Sequence, residues 1–153
     1  MRVRLPPSTL GKVSHMRKTA SIASIVLGLL LVIGGVGTWV VVSTTLSDHN
    51  IVTSDDACLP GRVVADPFTA YCQAQVIQEH TLEQTGGLTY AELDRDDPLR
   101  EVALTSSFLQ SSLFTSIVAF GVAAMAAGMG VLFILIGLGI RDVAERTAEP
   151  IPV

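Results

Sequence analysis

Two apolar blocks, separated by a polar and acidic stretch, set the pattern of this chain. The second block, residues 113–140, contains no charged residue and no proline and stops abruptly at Arg141-Asp142. A hydrocarbon core of roughly 30 Å is crossed by about 20 apolar residues in a helix. Only a helix satisfies its own backbone hydrogen bonds in lipid, so this block predicts a spanning helix. The first block, residues 19–47, also has no charge, and residues 22–42 are its apolar heart. Its basic lead-in resembles that of a secretory signal peptide. However, the apolar core is about twice the usual length and no Ala-x-Ala site follows, since Ser43-Thr44-Thr45 is a poor substitute. The block therefore reads as an uncleaved span, with Trp39 placed near its outer end as an interfacial aromatic.

Between the blocks the pattern changes to short elements with clear punctuation. Residues 50–54 form a short extended stretch, and Leu59-Pro60-Gly61 is turn chemistry. Asp66-Pro67 predicts a helix start, with Asp66 as N-cap and Pro67 in the first turn. That helix runs to Gln84 or Thr85, where Gly86-Gly87 stops it. Thr89-Tyr90-Ala91-Glu92 reads as a capping box for a short turn through Leu93. Asp97-Pro98 repeats the starting device and opens a last helix with no breaker before Ile140. At 1.5 Å per residue that helix would reach about 64 Å, twice what a bilayer needs, with a kink or break near Ser111-Ser112 left open. Its first half is polar, and its second half is the apolar block.

Composition sharpens this picture. Of the 153 residues 49% are hydrophobic and 16% charged, whereas soluble domains carry about a quarter charged residues. Mean hydropathy is +0.53. If both blocks lie in lipid, about 65 residues remain for a water-exposed fold, near the lower limit for an independent core. The net charge of −4 matters less than its distribution. Arg2, Arg4, Lys12, Arg17 and Lys18 precede the first block, and Arg141 and Arg146 follow the second. The central segment holds only Arg62, Arg95 and Arg100 among many acids. The positive-inside rule then places both termini in the cytoplasm and the central segment outside. The basic arm, residues 1–18, is expected to be disordered, with Pro6-Pro7 opposing an early helix; Met16 is an alternative start.

Four constellations were weighed for chemistry. Cys58 and Cys72 fall in the segment expected outside, where disulfides persist. Closing a loop of about 15 residues stabilises by roughly 3 kcal/mol in the chain-entropy model. A redox pair, unpaired thiols and intermolecular pairing are the alternatives; the spacing is not Cys-x-x-Cys. Small residues form the second group: Ser24, Gly28 and Gly35 in the first span, and Ala123, Ala124, Ala127, Gly128, Gly130 and Gly137 in the second. Such faces let helices approach closely in lipid. They predict packing of the two spans on each other, and also self-association or docking on other membrane proteins. His49 and His80 with nearby acids lack any metal-ligand spacing, and Asp94, Asp96 and Asp97 lack the calcium-loop pattern. No nucleophile elbow, phosphate loop or dinucleotide fingerprint is present. Neither span carries an ionisable group of the kind that marks an ion path. An oligomer using Ser24, Thr38, Thr115 and Ser116 remains the channel alternative.

Residues 16–30 (Met16-Arg-Lys-Thr-Ala-Ser-Ile-Ala-Ser-Ile-Val-Leu-Gly-Leu-Leu), Tyr71-Cys-Gln-Ala-Gln-Val, Gly87-Leu-Thr-Tyr-Ala-Glu-Leu-Asp-Arg and Asp97-Pro-Leu-Arg-Glu resemble a group of small two-span membrane proteins of actinobacteria. The likeness covers most of the chain from Met16 onward. The group has no established activity. Members sometimes carry the label aromatic ring-opening dioxygenase, which implies an iron site of histidines and a carboxylate in a soluble fold. This sequence offers no pattern for either, and the resemblance transfers no functional residue.

The expectation is an all-α membrane protein: a two-span helical hairpin with a small, mainly helical extracytoplasmic domain between the spans. Its divisions are a cytoplasmic arm (1–18), a first span (19–43), the outer domain (44–112), a second span (113–140) continuous with a helix from about residue 98, and a cytoplasmic tail (141–153). No cofactor, metal or catalytic residue is expected. The lipid bilayer and other membrane proteins, not nucleic acid, are the expected partners. The leading role is a non-catalytic accessory or interaction subunit of a cell-envelope assembly, then a homo-oligomeric channel, then an enzyme without a recognisable site.

Overall fold

A computed structural model describes residues 7–146, with side-chain surroundings from residue 15 to residue 145. The fold is all-α: helix α1 spans Pro7–Asp48, α2 spans Pro67–Gln84 and α3 spans Leu99–Arg146. Helices α1 and α3 each contain a segment long and apolar enough to cross a membrane. Only 11% and 17% of those segments are buried by protein, whereas the core helix of a soluble protein is mostly buried. Their apolar surface thus faces outward, as in a membrane protein.

One expectation is corrected here. Within the arm expected to be disordered, residues 7–18 are helical and continuous with the first apolar block. Residues 1–6 lie outside the described residues. Pro7 starts the helix where it was read as opposing one: a proline lacks only an N–H that has no partner in the first turn. The break left open at Ser111-Ser112 is absent: helix α3 runs continuously through it and on to Arg146. The hydroxyls of Ser107, Thr115 and Ser116 donate to the carbonyls of Ala103, Ser111 and Ser112 four residues back. Polar side chains are thereby absorbed within the helix. Of the expected tail, residues 147–153 lie outside the described residues.

The chain divides into two compact units, Met1–Val36 with Ala124–Val153, and Gly37–Ala123. In the first, α1 and α3 pack antiparallel. Ser21 Oγ donates to the Gly137 carbonyl at 2.7 Å, and Ser24 Oγ to the Phe133 carbonyl at 2.7 Å. Gly28 lies against Gly130. From Ser21 to Gly28 the contacts rise seven residues along α1, and from Gly137 to Gly130 they descend seven along α3.

In the second unit, α2 packs antiparallel along α3. Val64, Ala70, Ala74 and Leu113 form a core, with Leu46, Ile77 and Ile117 against it. Higher along α2, the Thr81 hydroxyl donates to that of Ser106 at 2.6 Å. Asp66 caps α2 by accepting from Phe68 N at 2.9 Å and Thr69 N at 3.0 Å, and Thr69 Oγ1 accepts in return from Asp66 N. At the other end, Gly87 N donates to the Leu82 carbonyl at 2.7 Å, with Gly86 and Gly87 at φ +67° and +88°. Those left-handed angles are why glycine ends this helix. Asp97 Oδ1 accepts from Leu99 N at 2.8 Å and so starts α3.

The segment before α2 is a small folded loop. Val52 and Val63 form an isolated antiparallel bridge, and buried Thr53 holds the interior by accepting from Arg62 N at 2.9 Å. Ala57, Cys72 and Val76 form a second cluster beneath Leu59. Cys58 and Cys72 are joined, their Cα atoms 5.4 Å apart and 14 residues apart in sequence. The crosslink ties a loop with little core of its own to a helix that has one. Replacing both cysteines by serine is expected to cost about 3 kcal/mol of the unit's stability by loop-closure entropy. Amide hydrogen exchange should show faster exchange at residues 51–64 than in the lower half of α3, which should be unchanged. Asp66→Ala should cost about 1 kcal/mol through the lost cap, read as fraying of the first turn of α2.

Candidate functional site

The close helix crossing is the most tightly specified arrangement among the described residues. A Cβ added at Gly28 would sit 2.5 Å from the Gly130 carbonyl oxygen, and one at Gly130 would sit 2.5 Å from that of Gly28. At Gly137 an added Cβ would meet Ile25 Cγ1 at 2.6 Å and the Ser21 carbonyl at 2.9 Å. No side chain fits at these three positions without moving backbone. The contact row on α3 is Gly130–Gly137, and on α1 it is Ser21–Gly28, each at seven-residue spacing. A seven-residue period is that of helices packed along a shared seam. The two serine hydroxyls reach across it to carbonyls of the facing helix, supplying hydrogen bonds that lipid cannot.

The expected packing residues separate into three groups. Gly28, Gly35, Ala123, Gly130 and Gly137 are buried, Ser24 and Ala127 are partly buried, and Ala124 and Gly128 are exposed. Nothing would meet a Cβ at Gly128 within 4 Å. Ser21, 3% exposed, belongs to the seam and is missing from the sequence-based set. Its signal was the seven-residue row Ser21–Gly28–Gly35, hidden by the four-residue row Ala20–Ser24–Gly28. Ala20 is exposed.

In the second unit, His80 Nε2 and Asp56 Oδ2 lie 2.5 Å apart, linking α2 to the loop before it. The Asp56 bond raises the His80 pKa above its ordinary value, and the same bond lowers that of Asp56. Both groups are solvent-accessible, so this is a surface latch. His49 is exposed. No three His, Cys, Asp or Glu side chains converge as metal ligands among the described residues.

Two hollows flank the contact of α2 with α3. One, of about 120 Å³, is lined by Gln78, Thr81, Tyr90, Ser106, Ser107 and Gln110 among others. There Gln110 Nε2 donates to Ser106 Oγ at 3.1 Å, so much of the lining polarity is already satisfied within the protein. The Arg100 guanidinium stacks over Tyr90, 4.2 Å from the ring centre. The other hollow, of about 430 Å³, is a shallow groove bordered by Ile77, His80, Glu101, Val102 and Leu109. Thr81, Thr105 and Ser106 also line this groove; His80 is bonded to Asp56, and the Thr81 hydroxyl to that of Ser106. No protein-family model, curated protein or solved structure matches the chain.

Two outcomes follow from this geometry. Gly130→Ala should weaken the helix pair by about 1–3 kcal/mol, as overpacking a fitted interface does, whereas Gly128→Ala should be near neutral. Unfolding in mixed detergent micelles checks the difference. For the latch, His80 with its raised pKa stabilises fully below its unfolded value and loses the contribution as pH rises through the folded one. Asp56, with its lowered pKa, contributes above its unfolded value and loses it as pH falls through the folded one. The latch therefore holds between the lowered carboxylate pKa and the raised imidazole pKa. The His80 NMR titration midpoint should lie above 6.5 and fall in Asp56→Asn.

Proposed function

We propose that this chain is a non-catalytic, two-span protein of the cytoplasmic membrane that acts as an accessory or interaction subunit of a cell-envelope assembly. In this reading both termini are cytoplasmic and residues 44–112, which include α2, are extracytoplasmic. The skew of Lys and Arg toward the two ends supports that orientation. The Cys58–Cys72 pair supports it independently, because disulfides persist outside the cytoplasm.

The observation that carries the interaction role is the division of the glycines. Gly28, Gly130 and Gly137 are consumed by the contact between α1 and α3, while Gly34, Gly37, Gly121, Gly128 and Gly139 face open space. Gly121, Ala124 and Gly128 share one face of α3 by their i, i+3, i+7 spacing. Small residues that pack nothing within their own chain expose backbone for another helix to approach. The channel reading has less support. Of its four residues, Ser24, Thr115 and Ser116 donate to backbone carbonyls, and Ser24 does so across the contact of α1 with α3.

Ala124→Leu combined with Gly128→Leu is expected to abolish copurification of partners in mild detergent while leaving the hairpin folded. Heterologous partners in the wild type, lost in the variant, support the accessory role. A homogeneous ring points to the channel, and a monomer unaffected by the variant contradicts both.

A further inference from the structure

Phe68 is the most exposed large apolar side chain among the described residues, at 74%, and it sits in the first turn of α2. Tyr71, on the same face by i, i+3 spacing, is 46% exposed and meets Phe114 of α3 edge to face, with ring centres 6.4 Å apart. Phe114 is itself 43% exposed, so these three aromatics leave apolar surface uncovered at the start of α2, within a unit that also exposes Phe108 and Leu109. Such a patch needs an occupant.

The patch lies at a definable level. Trp39 and Phe120 pack edge to face, 4.7 Å between centres, with Trp39 near the outer end of the first apolar block. Tryptophan collects at the edge of the hydrocarbon core. Ser43, one helical turn beyond Trp39, donates to the Ala65 carbonyl at 2.7 Å, next to the Asp66 cap of α2. One turn rises about 5–6 Å, and the headgroup layer on each side of the hydrocarbon core is about 5–7 Å thick. The start of α2 therefore falls within that layer.

The composition of α2 runs the same way. From Pro67 to Gln78 it has no charged residue, and Glu79, His80 and Glu83 all lie in its far end. Because α2 runs antiparallel to α3, its N-terminus points toward the apolar blocks. Helical Cα–Cβ bonds tilt toward the N-terminus, so Phe68 and Tyr71 lean the same way. Tyr71 also keeps its hydroxyl satisfied by accepting from Gln75 Nε2 at 2.7 Å. An apolar body with a polar tip suits the boundary between headgroups and acyl chains.

We propose that the first turns of α2 are seated in the outer lipid interface, with Phe68 and Tyr71, joined to Phe114, inserted between headgroups and acyl chains. This rests on the membrane topology proposed above, and it adds that the start of α2 lies at the bilayer surface. The bound surface is phospholipid, and no protein partner is required at this patch.

Trp39 is the sole tryptophan, which makes the test direct. Phe68→Trp in a Trp39→Phe background is reconstituted in phosphatidylcholine–phosphatidylglycerol vesicles containing lipids brominated either near the headgroup or near the chain end. The wild-type Trp39 serves as reference, and Tyr71→Trp in the same background repeats the reading should Phe68→Trp misfold. The expected result is loss of emission with shallow bromines, less with deep ones, and weak quenching by aqueous iodide. Strong iodide quenching without bromine quenching overturns the proposal, as does blue-shifted emission insensitive to both, which would mean protein covers the patch. If wild-type Trp39 is itself untouched by either brominated lipid, the membrane topology fails instead.

Discussion

Backbone-to-backbone approach at Gly28 and Gly130 is the constraint on which the paired helices depend. Two apolar helices gain no hydrophobic free energy by leaving lipid for each other, since acyl chains are as apolar as leucine. What remains is dispersion at short range and hydrogen bonding across the contact. Both require the absence of a Cβ, and both are met: an added methyl group would collide with a facing carbonyl at 2.5 Å on either helix. Ser21 and Ser24 add two hydroxyl-to-carbonyl bonds on the same seam. The bulky residues flanking this seam, such as Val26, Leu29, Leu132 and Leu135, are left exposed for lipid.

The unit around α2 solves a different problem with different means. It is too small to rely on core burial alone, and its hydrophobic clusters are correspondingly short. Local devices supply the rest: the Asp66 cap, the glycine stop at Gly86-Gly87, the Thr53-centred loop and the Cys58–Cys72 crosslink. The His80–Asp56 latch adds a pH-sensitive tie at the surface.

What could be read in the sequence follows from the range of the interactions involved. Asp66-Pro67, Gly86-Gly87 and Asp97-Pro98 act within a turn of themselves, and each marks the helix boundary its chemistry predicts. The row Ala123–Gly130–Gly137 was legible as a seven-residue repeat. Its counterpart, Ser21–Gly28–Gly35, was masked because Ala20, Ser24 and Gly28 also repeat every four residues, and both periods fit a helix face over so short a distance. The helical start at Pro7 was missed because the same residue that breaks a helix interior is well suited to its first turn. The meetings of His80 with Asp56 and of Thr81 with Ser106 join positions 24 and 25 residues apart, and no local pattern announces them.

The central claim is that these two apolar helices lie side by side in a bilayer, in one register, within one molecule. Carbon–carbon correlations by magic-angle-spinning NMR, on labelled protein in phospholipid bilayers diluted with unlabelled protein, test it most directly. The account predicts contacts of Gly28 with Gly130, Gly130 with Val32 and Gly137 with Ile25 that persist on dilution. Their absence from well-folded helical protein, or their loss on dilution, would contradict it.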